Sequence, residues 1–370
     1  MMRVIHFLVV RRILAVSGIT LLGTALPASA QQTPRSSVPI EPISAIVDAF
    51  QSHPIVALTE GDHGNEQGHA FRLSLIRDTR FAAVVDDIVV EYGNARYQDV
   101  ADRFVRGESV PREVLRQIWQ NTTQPNTVWE RPIYEEFFRA VREVNAELPR
   151  ARQLRILLGD PPIDWDQIRT TQDLVPWIDA RDSFAADLIR REVISKSRRA
   201  LVVYGTGHLH RGNIVRNYEP ENTIVSFLER APTINLFTIW TSETDKDLTA
   251  LQPDVASWPA PSVAILRGTL LGAADYTFYW PYTTTRMSVT DGVRTIIPRD
   301  QWRVRKMEDQ FDAILYLGPP SRITIAQLPR SLCVDTAYMD MRLGRMALMP
   351  GGQGQIDTLK SYCAAQRAPK

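Results

Sequence analysis

The chain has 370 residues, 44% of them hydrophobic, and a formal net charge of +1, which allows one large domain or two with a sizeable core. The balanced charge excludes the basic footprint of a nucleic-acid-binding protein. No polybasic tail or low-complexity block marks a disordered or membrane-surface protein.

Taken in chain order, the first segment reads as a signal peptide. Arg3, Arg11 and Arg12 precede an apolar run from Ile13 to Leu26, and the small-residue pattern Ala28-Ser29-Ala30 follows. The run is short for a membrane span. The expectation is a signal peptide over 1–30, cleavage after Ala30, no stable membrane span afterwards, and a periplasmic or secreted mature protein. No cysteine follows the cleavage point, so a lipid anchor there is not expected.

Short apolar runs then alternate with helical patterns. The predicted strands are Ile55–Leu58, Asp87–Gly93, Leu154–Asp160, Arg199–His208, Ile234–Trp240 and Phe311–Gly318. They are continuous runs of β-branched residues and leucine, the pattern of strands buried on both faces of a parallel sheet. Predicted helices cover Glu66–Arg77, Arg112–Gln120 behind Pro111, Ile133–Leu148, and Ser183–Ser197 with Asp182 or Ser183 as cap. Strand–helix alternation predicts a layered α/β domain with a mostly parallel sheet, one domain over 31–370. Residues 98–150 read as a helical insertion. The proline- and tryptophan-rich stretch 241–310 reads as a lid or small subdomain. Cys333 and Cys363, the two cysteines, are expected to form a disulfide in an exported chain.

Polar residues concentrate where the strands end. The first ends in Glu60, Asp62 and His63, the second in Glu91 and the third in Asp160. The fourth ends in Gly-Thr-Gly-His-Leu-His-Arg, which holds His208, His210 and Arg211. Open parallel sheets bind ligands at this carboxyl edge. Of six histidines, His63, His69, His208 and His210 fall in these two regions, so the clustering points to a site. At 100° per residue Glu66, His69 and Arg72 share an arc of the first helix that can face the cleft. The expected catalytic residues are His63, Glu60, Arg72, Glu91 and His208. Glu66, His69, Asp160, His210 and Arg211 are expected around the substrate, a small molecule. The sequence has no G-x-S-x-G elbow, no H-E-x-x-H and no phosphate-binding Walker loop, so serine-nucleophile chemistry has no support.

The stretches Ala57–Arg72, Val89–Gly93 and Val202–Asn213 resemble the erythromycin esterase-like superfamily, which also includes the ChaN-type haem-binding uptake proteins and is distantly similar to Tiki-type metalloproteases. Glu60 and His63 match the family's Glu-x-x-His-Gly. Arg72 follows nine residues after that histidine, and Glu91 nineteen after the arginine. Gly207-His208 matches a later Gly-His, and Phe311–Gly318 resembles the last strand. Thr59 stands where the family usually has glycine. The resemblance implies an esterase in which His63 activates water without a cofactor. The Tiki-like branch implies instead zinc or manganese on His63, His208, His210 and Glu91 or Glu60. The ChaN-like branch implies haem, with Tyr92 or a cluster histidine as axial ligand.

Overall fold

The computed structural model describes residues 33–211, 223–279, 285–287, 294–296, 306–349 and 351–367. The expected signal peptide lies outside them. The chain divides into Met1–Thr33 and Pro34–Lys370, and the fold is that of the second unit.

Every predicted strand forms: β1 (Ile55–Thr59), β2 (Asp87–Asn94), β3 (Arg155–Asp160), β4 (Ala200–Tyr204) and β5 (Leu236–Thr241). The last of them is β9 (Ala313–Tyr316). Three more strands arise within 241–310, namely β6 (Ser262–Ile265), β7 (Thr285–Met287) and β8 (Arg294–Ile296). The main sheet runs β3-β2-β4-β1-β5-β9-β6, and β7 and β8 form a separate hairpin. All neighbours in the main sheet are parallel except β6, which pairs antiparallel with β9 at the edge. Part of the stretch expected as a lid is therefore sheet. Ser262 to Ile265 was not legible as a strand because it is four residues long and follows a proline.

The strands alternate their side chains between two apolar layers. Val56, Leu58, Ile88, Val90, Leu201 and Val203 face one. Ile55, Ala57, Val89, Ala200, Val202 and Tyr204 face the other. With both faces covered, a strand of uninterrupted apolar residues buries every side chain it carries. Helices Glu66–Arg77, Gln98–Val105, Arg112–Gln120 and Pro132–Ala146 supply the first layer, so the helices of 98–150 are part of the covering layer itself. Helix Arg181–Glu192 and helix Ile224–Glu229 cover the second. The C-terminal helices Thr336–Ala347 and Gly352–Arg367 pack on each other around the Cys333–Cys363 disulfide. Arg342 ties them to the short turn Val128–Glu130, just before helix Pro132–Ala146, through Glu130 at 2.9 Å. Among the described residues no helix is long and apolar enough to cross a membrane.

Strand order positions the site. From β1 the chain moves to β2 and β3 on one side, returns as β4 between β2 and β1, then crosses to β5 on the other side. The crevice beyond β1 is where the winding reverses, the place where such sheets hold ligands.

Candidate functional site

The site begins where β1 stops. Glu60 is still tied to β4, its N–H donating to the Tyr204 carbonyl at 2.8 Å. The chain then turns through Gly61 and Gly64, both at positive φ (69° and 90°). A Cβ on Gly64 would lie 2.6 Å from Arg131 Cδ, so this turn needs glycine twice over. The turn folds His63 back onto the strand end, and Nδ1 meets Glu60 Oε2 at 2.8 Å. Asn65 caps the next helix by accepting from Gly68 N at 2.8 Å. From that helix Arg72 reaches back to Glu60 Oε1 at 3.3 Å, both side chains being buried. A buried carboxylate needs such partners, and Glu60 has one on each oxygen.

The second half comes from β2 and β4. Glu91 lies within β2, which is buried throughout, and its Oε2 accepts from Gly205 N at 2.8 Å. The expected fourth strand was to run to His208. It ends at Tyr204, and Thr206–Leu209 forms a helical turn. That turn brings His208 over Glu91, with Nε2 3.4 Å from Oε1. His208 Nδ1 lies 3.0 Å from Asp182. The halves meet at Gly205, where a Cβ would stand 2.9 Å from His63 Cε1 and 3.4 Å from Glu91 Oε2. Only a residue without a side chain lets the ring approach this closely.

Charge separates the two histidines. Burial disfavours an imidazolium at His208, but the charges and hydrogen bonds of Asp182 and Glu91 overcome it and push its pKa well above 6.5. His208 is therefore a fixed cation. Burial alone would raise Glu91, yet His208, His63 and the Gly205 N–H pull it down to about 2. At His63 burial again opposes protonation. The Glu60 hydrogen bond and the charges of Glu91 and Glu60 outweigh it, with His208 opposing, and the pKa rises above 6.5. His63 is also the most exposed of these groups: its side chain is 32% exposed, against 22% for His208, 10% for Glu91 and 1% for Glu60. Its ring packs edge-on against Trp129, centroids 4.7 Å apart. With Nδ1–H held by Glu60, neutral His63 keeps its lone pair on Nε2.

The structure thus brings together Glu60, His63, Arg72, Glu91 and His208, and sends the five surrounding residues elsewhere. Glu66 is exposed and accepts from Thr324 Oγ1 at 2.5 Å. His69 turns to Glu136 at 3.0 Å, and burial with the Arg72 charge lowers its pKa to about 4. The expected shared arc does not face one cleft, because Arg72 alone bends back to the strand. Asp160 is buried, with both oxygens taken by the backbone N–H and hydroxyl of Thr123. Burial raises its pKa to about 7, against the opposing charge of Arg181. The His210 ring lies by Tyr276, centroids 6.1 Å apart, because the helical turn after Gly205 points it away from His208. Arg211 pairs with Asp312 at 2.7 Å and Glu229 at 2.8 Å. Asp312 precedes β9 and also accepts from Thr238 N, so Arg211 braces the sheet away from the carboxyl edge.

Sequence reasoning missed Asp182 and Trp129. Neither Asp182 nor Ser183 caps its helix: Ala180 occupies the cap position, and the Asp182 carboxylate serves His208. Its only sequence signal was a carboxylate in the first turn of a helix. Trp129 carried none.

For a metal, the ligand atoms close enough together among the described residues belong to Glu60, His63 and Glu91, all within 4.8 Å of one another. His208 and His210 do not join them. One imidazole and two carboxylates suit zinc or manganese by type. All four carboxylate oxygens, however, already face donors: Arg72, His63, His208 and the Gly205 N–H. Arg72 and His208 also balance the two negative charges. Of the residues expected as a haem ligand, Tyr92 does not fit. Tyr92 is 1% exposed, enclosed by Trp129, Tyr134, Phe137 and Phe138, and cannot offer its phenol as an axial ligand.

By sequence the chain matches no family model and no curated protein. By fold it is similar to solved structures. A succinoglycan biosynthesis protein superposes with a TM-score of 0.54 at 10% identity, covering 81% of this chain and 97% of that one. A mutant of the erythromycin esterase EreC in its open conformation gives 0.50 at 12% identity, covering 77% and 94%. A ChaN of Campylobacter jejuni with cofacially bound haem gives 0.34 at 11% identity, covering 56% and 86%. The fold of this chain is thus similar to the folds of the succinoglycan biosynthesis protein and of the erythromycin esterase.

Proposed function

We propose that the protein is an exported hydrolase that uses His63 to activate water against an ester or lactone carbonyl. One observation carries this: His63 is held through Nδ1 by a buried carboxylate at 2.8 Å, while the ring stays partly open to solvent. Nε2 takes a proton from water, and the hydroxide adds to the carbonyl carbon. Glu60 orients the ring and stabilises its charged form, and Arg72 holds Glu60. Glu91, held ionised by His208 and Gly205, favours the same charged form from the other side. The erythromycin esterase-like fold supports the choice of ester bonds, and the N-terminal segment supports export.

The 4.8 Å grouping of Glu60, His63 and Glu91 favours a second reading, a zinc or manganese hydrolase on those residues. There the ion would polarise the carbonyl or acidify water, and His208 would orient Glu91.

The test is metal content and an absorption spectrum on untagged protein purified from the periplasm, followed by an ester and lactone panel on wild type and His63→Ala. Hydrolysis by colourless, metal-free protein that is lost in His63→Ala supports the first reading. Stoichiometric zinc or manganese, with activity lost on chelation and restored by the ion, overturns it for the second. A Soret band overturns both.

A further inference from the structure

The turn after β4 carries two carboxyl groups on adjacent residues. Gly205 donates its N–H to Glu91 Oε2 at 2.8 Å, and Thr206 donates its hydroxyl to Glu243 Oε1 at 2.8 Å. Consecutive Cα atoms are about 3.8 Å apart, so the two carboxyls flank one short piece of backbone, the piece against which His63 lies. Glu243 follows β5, the neighbour of β1 on the side away from β4. The His63 loop is bound to that strand end: Asp62 Oδ2 accepts from Thr244 N at 2.7 Å. Glu60 lies beside Arg72 and Glu91 beside His208, while the Glu243 carboxyl, 4% exposed, accepts from the neutral Thr206 hydroxyl with the charge of Lys246 nearby.

We infer that Glu243 is the catalytic acid of the same reaction, giving its proton to the leaving alkoxide on the β5 side of His63. This rests on the hydrolase reading. In the first step His63 takes a proton from water, the oxygen bonds to the carbonyl carbon, and the carbonyl π pair moves to oxygen. In the second the carbonyl re-forms, the bond to the alkoxy oxygen breaks with its electron pair, and that oxygen takes the proton from the Glu243 carboxyl. The imidazolium of His63 then returns its proton to Glu243 through solvent. Water is consumed, and one acid and one alcohol leave.

The electrostatics agree with the geometry. Burial raises the Glu243 pKa to about 7. The Thr206 hydrogen bond and Lys246 oppose this, and the charges of Asp62 and Asp245 add to it. Tyr276, buried beside Glu243, is itself pushed up and stays neutral. One carboxyl of the turn is thus ionised and the other keeps a proton near neutrality, the separation of acid and base roles that such pairs serve.

The experiment compares alkyl and 4-nitrophenyl esters of one acid. An alkoxide needs a proton to leave, and 4-nitrophenolate does not. Glu243→Gln keeps shape and the Thr206 contact, so it folds. It is expected to lose about 100-fold in kcat on the alkyl ester, at least about ten times more than on the nitrophenyl ester, and to lose the alkaline limb of the pH profile. Thr206→Val, which removes a donor that lowers the pKa, moves that limb to higher pH. Equal loss on both esters, or an alkaline limb that persists in Glu243→Gln, overturns the assignment while leaving His63 as base. A wild-type protein that cleaves neither ester overturns the hydrolase reading itself.

Discussion

Glu60→Gln is the most informative single change at the His63 pair. The Glu60–His63 contact is 2.8 Å, buried on the carboxylate side, and strengthens when the ring is charged. Hydrogen bonds to a charged group contribute about 1.5–3 kcal/mol, and one pKa unit is about 1.36 kcal/mol. The substitution should therefore lower the His63 pKa. A general base works only when deprotonated, so activity rises with pH through that pKa. In wild type the acid limb falls above 6.5, because the pKa is raised. In Glu60→Gln it moves to lower pH, while the plateau drops about 100-fold or more because the ring loses its orienting partner. The same linkage acts on stability: the raised His63 pKa contributes fully below the unfolded value near 6.5 and is lost as pH rises through the folded value. The assay is kcat/KM against pH with a His63 NMR titration, and thermal unfolding as control. Removing one partner of a buried pair costs about 3–5 kcal/mol, so Arg72→Met is combined with Glu60→Gln if the single variant is unstable. An acid limb and a titration that stay in place would refute the role given to Glu60.

Gly205→Ala places a methyl 2.9 Å from His63 Cε1, and the expected result is a folded protein with kcat down at least about tenfold and a displaced ring in its crystal structure. Asp182→Asn removes the larger charge holding His208 protonated, so the His208 pKa falls by NMR. Wild type loses the His208 contribution as pH rises through its raised folded pKa; in the variant that loss is complete at lower pH, as unfolding across pH would read. Replacing Cys333 and Cys363 by serine opens a loop with a sequence separation of 30, at a cost of about 3–4 kcal/mol. Denaturant unfolding should show that loss with kcat unchanged at 25 °C, since the disulfide packs with Met346, Ile356 and Leu359 rather than with His63.

The sequence alone determined where the sheet is and which edge of it carries the chemistry. A strand buried on both faces must be apolar at every position, so Ile55–Leu58 and Ala200–Tyr204 announce themselves without any partner. Glycines beside Glu60, His63 and His208 marked turns that could not be helix or strand. Spacing along one loop and one helix also placed His63 and Arg72 about Glu60, because those contacts span twelve residues or fewer. Only the tertiary structure decided what lies across the cleft. Asp182 reaches His208 over 26 residues and Glu243 reaches Thr206 over 37, and nothing local in either carboxylate distinguishes it from a helix cap or a surface charge. Strand order made both neighbours of the site, and the same long-range packing sent His69, Asp160, His210 and Arg211 to partners of their own. Local periodicity reads burial; the pairing of charges depends on which strand end stands beside which, and that is set when the sheet is assembled.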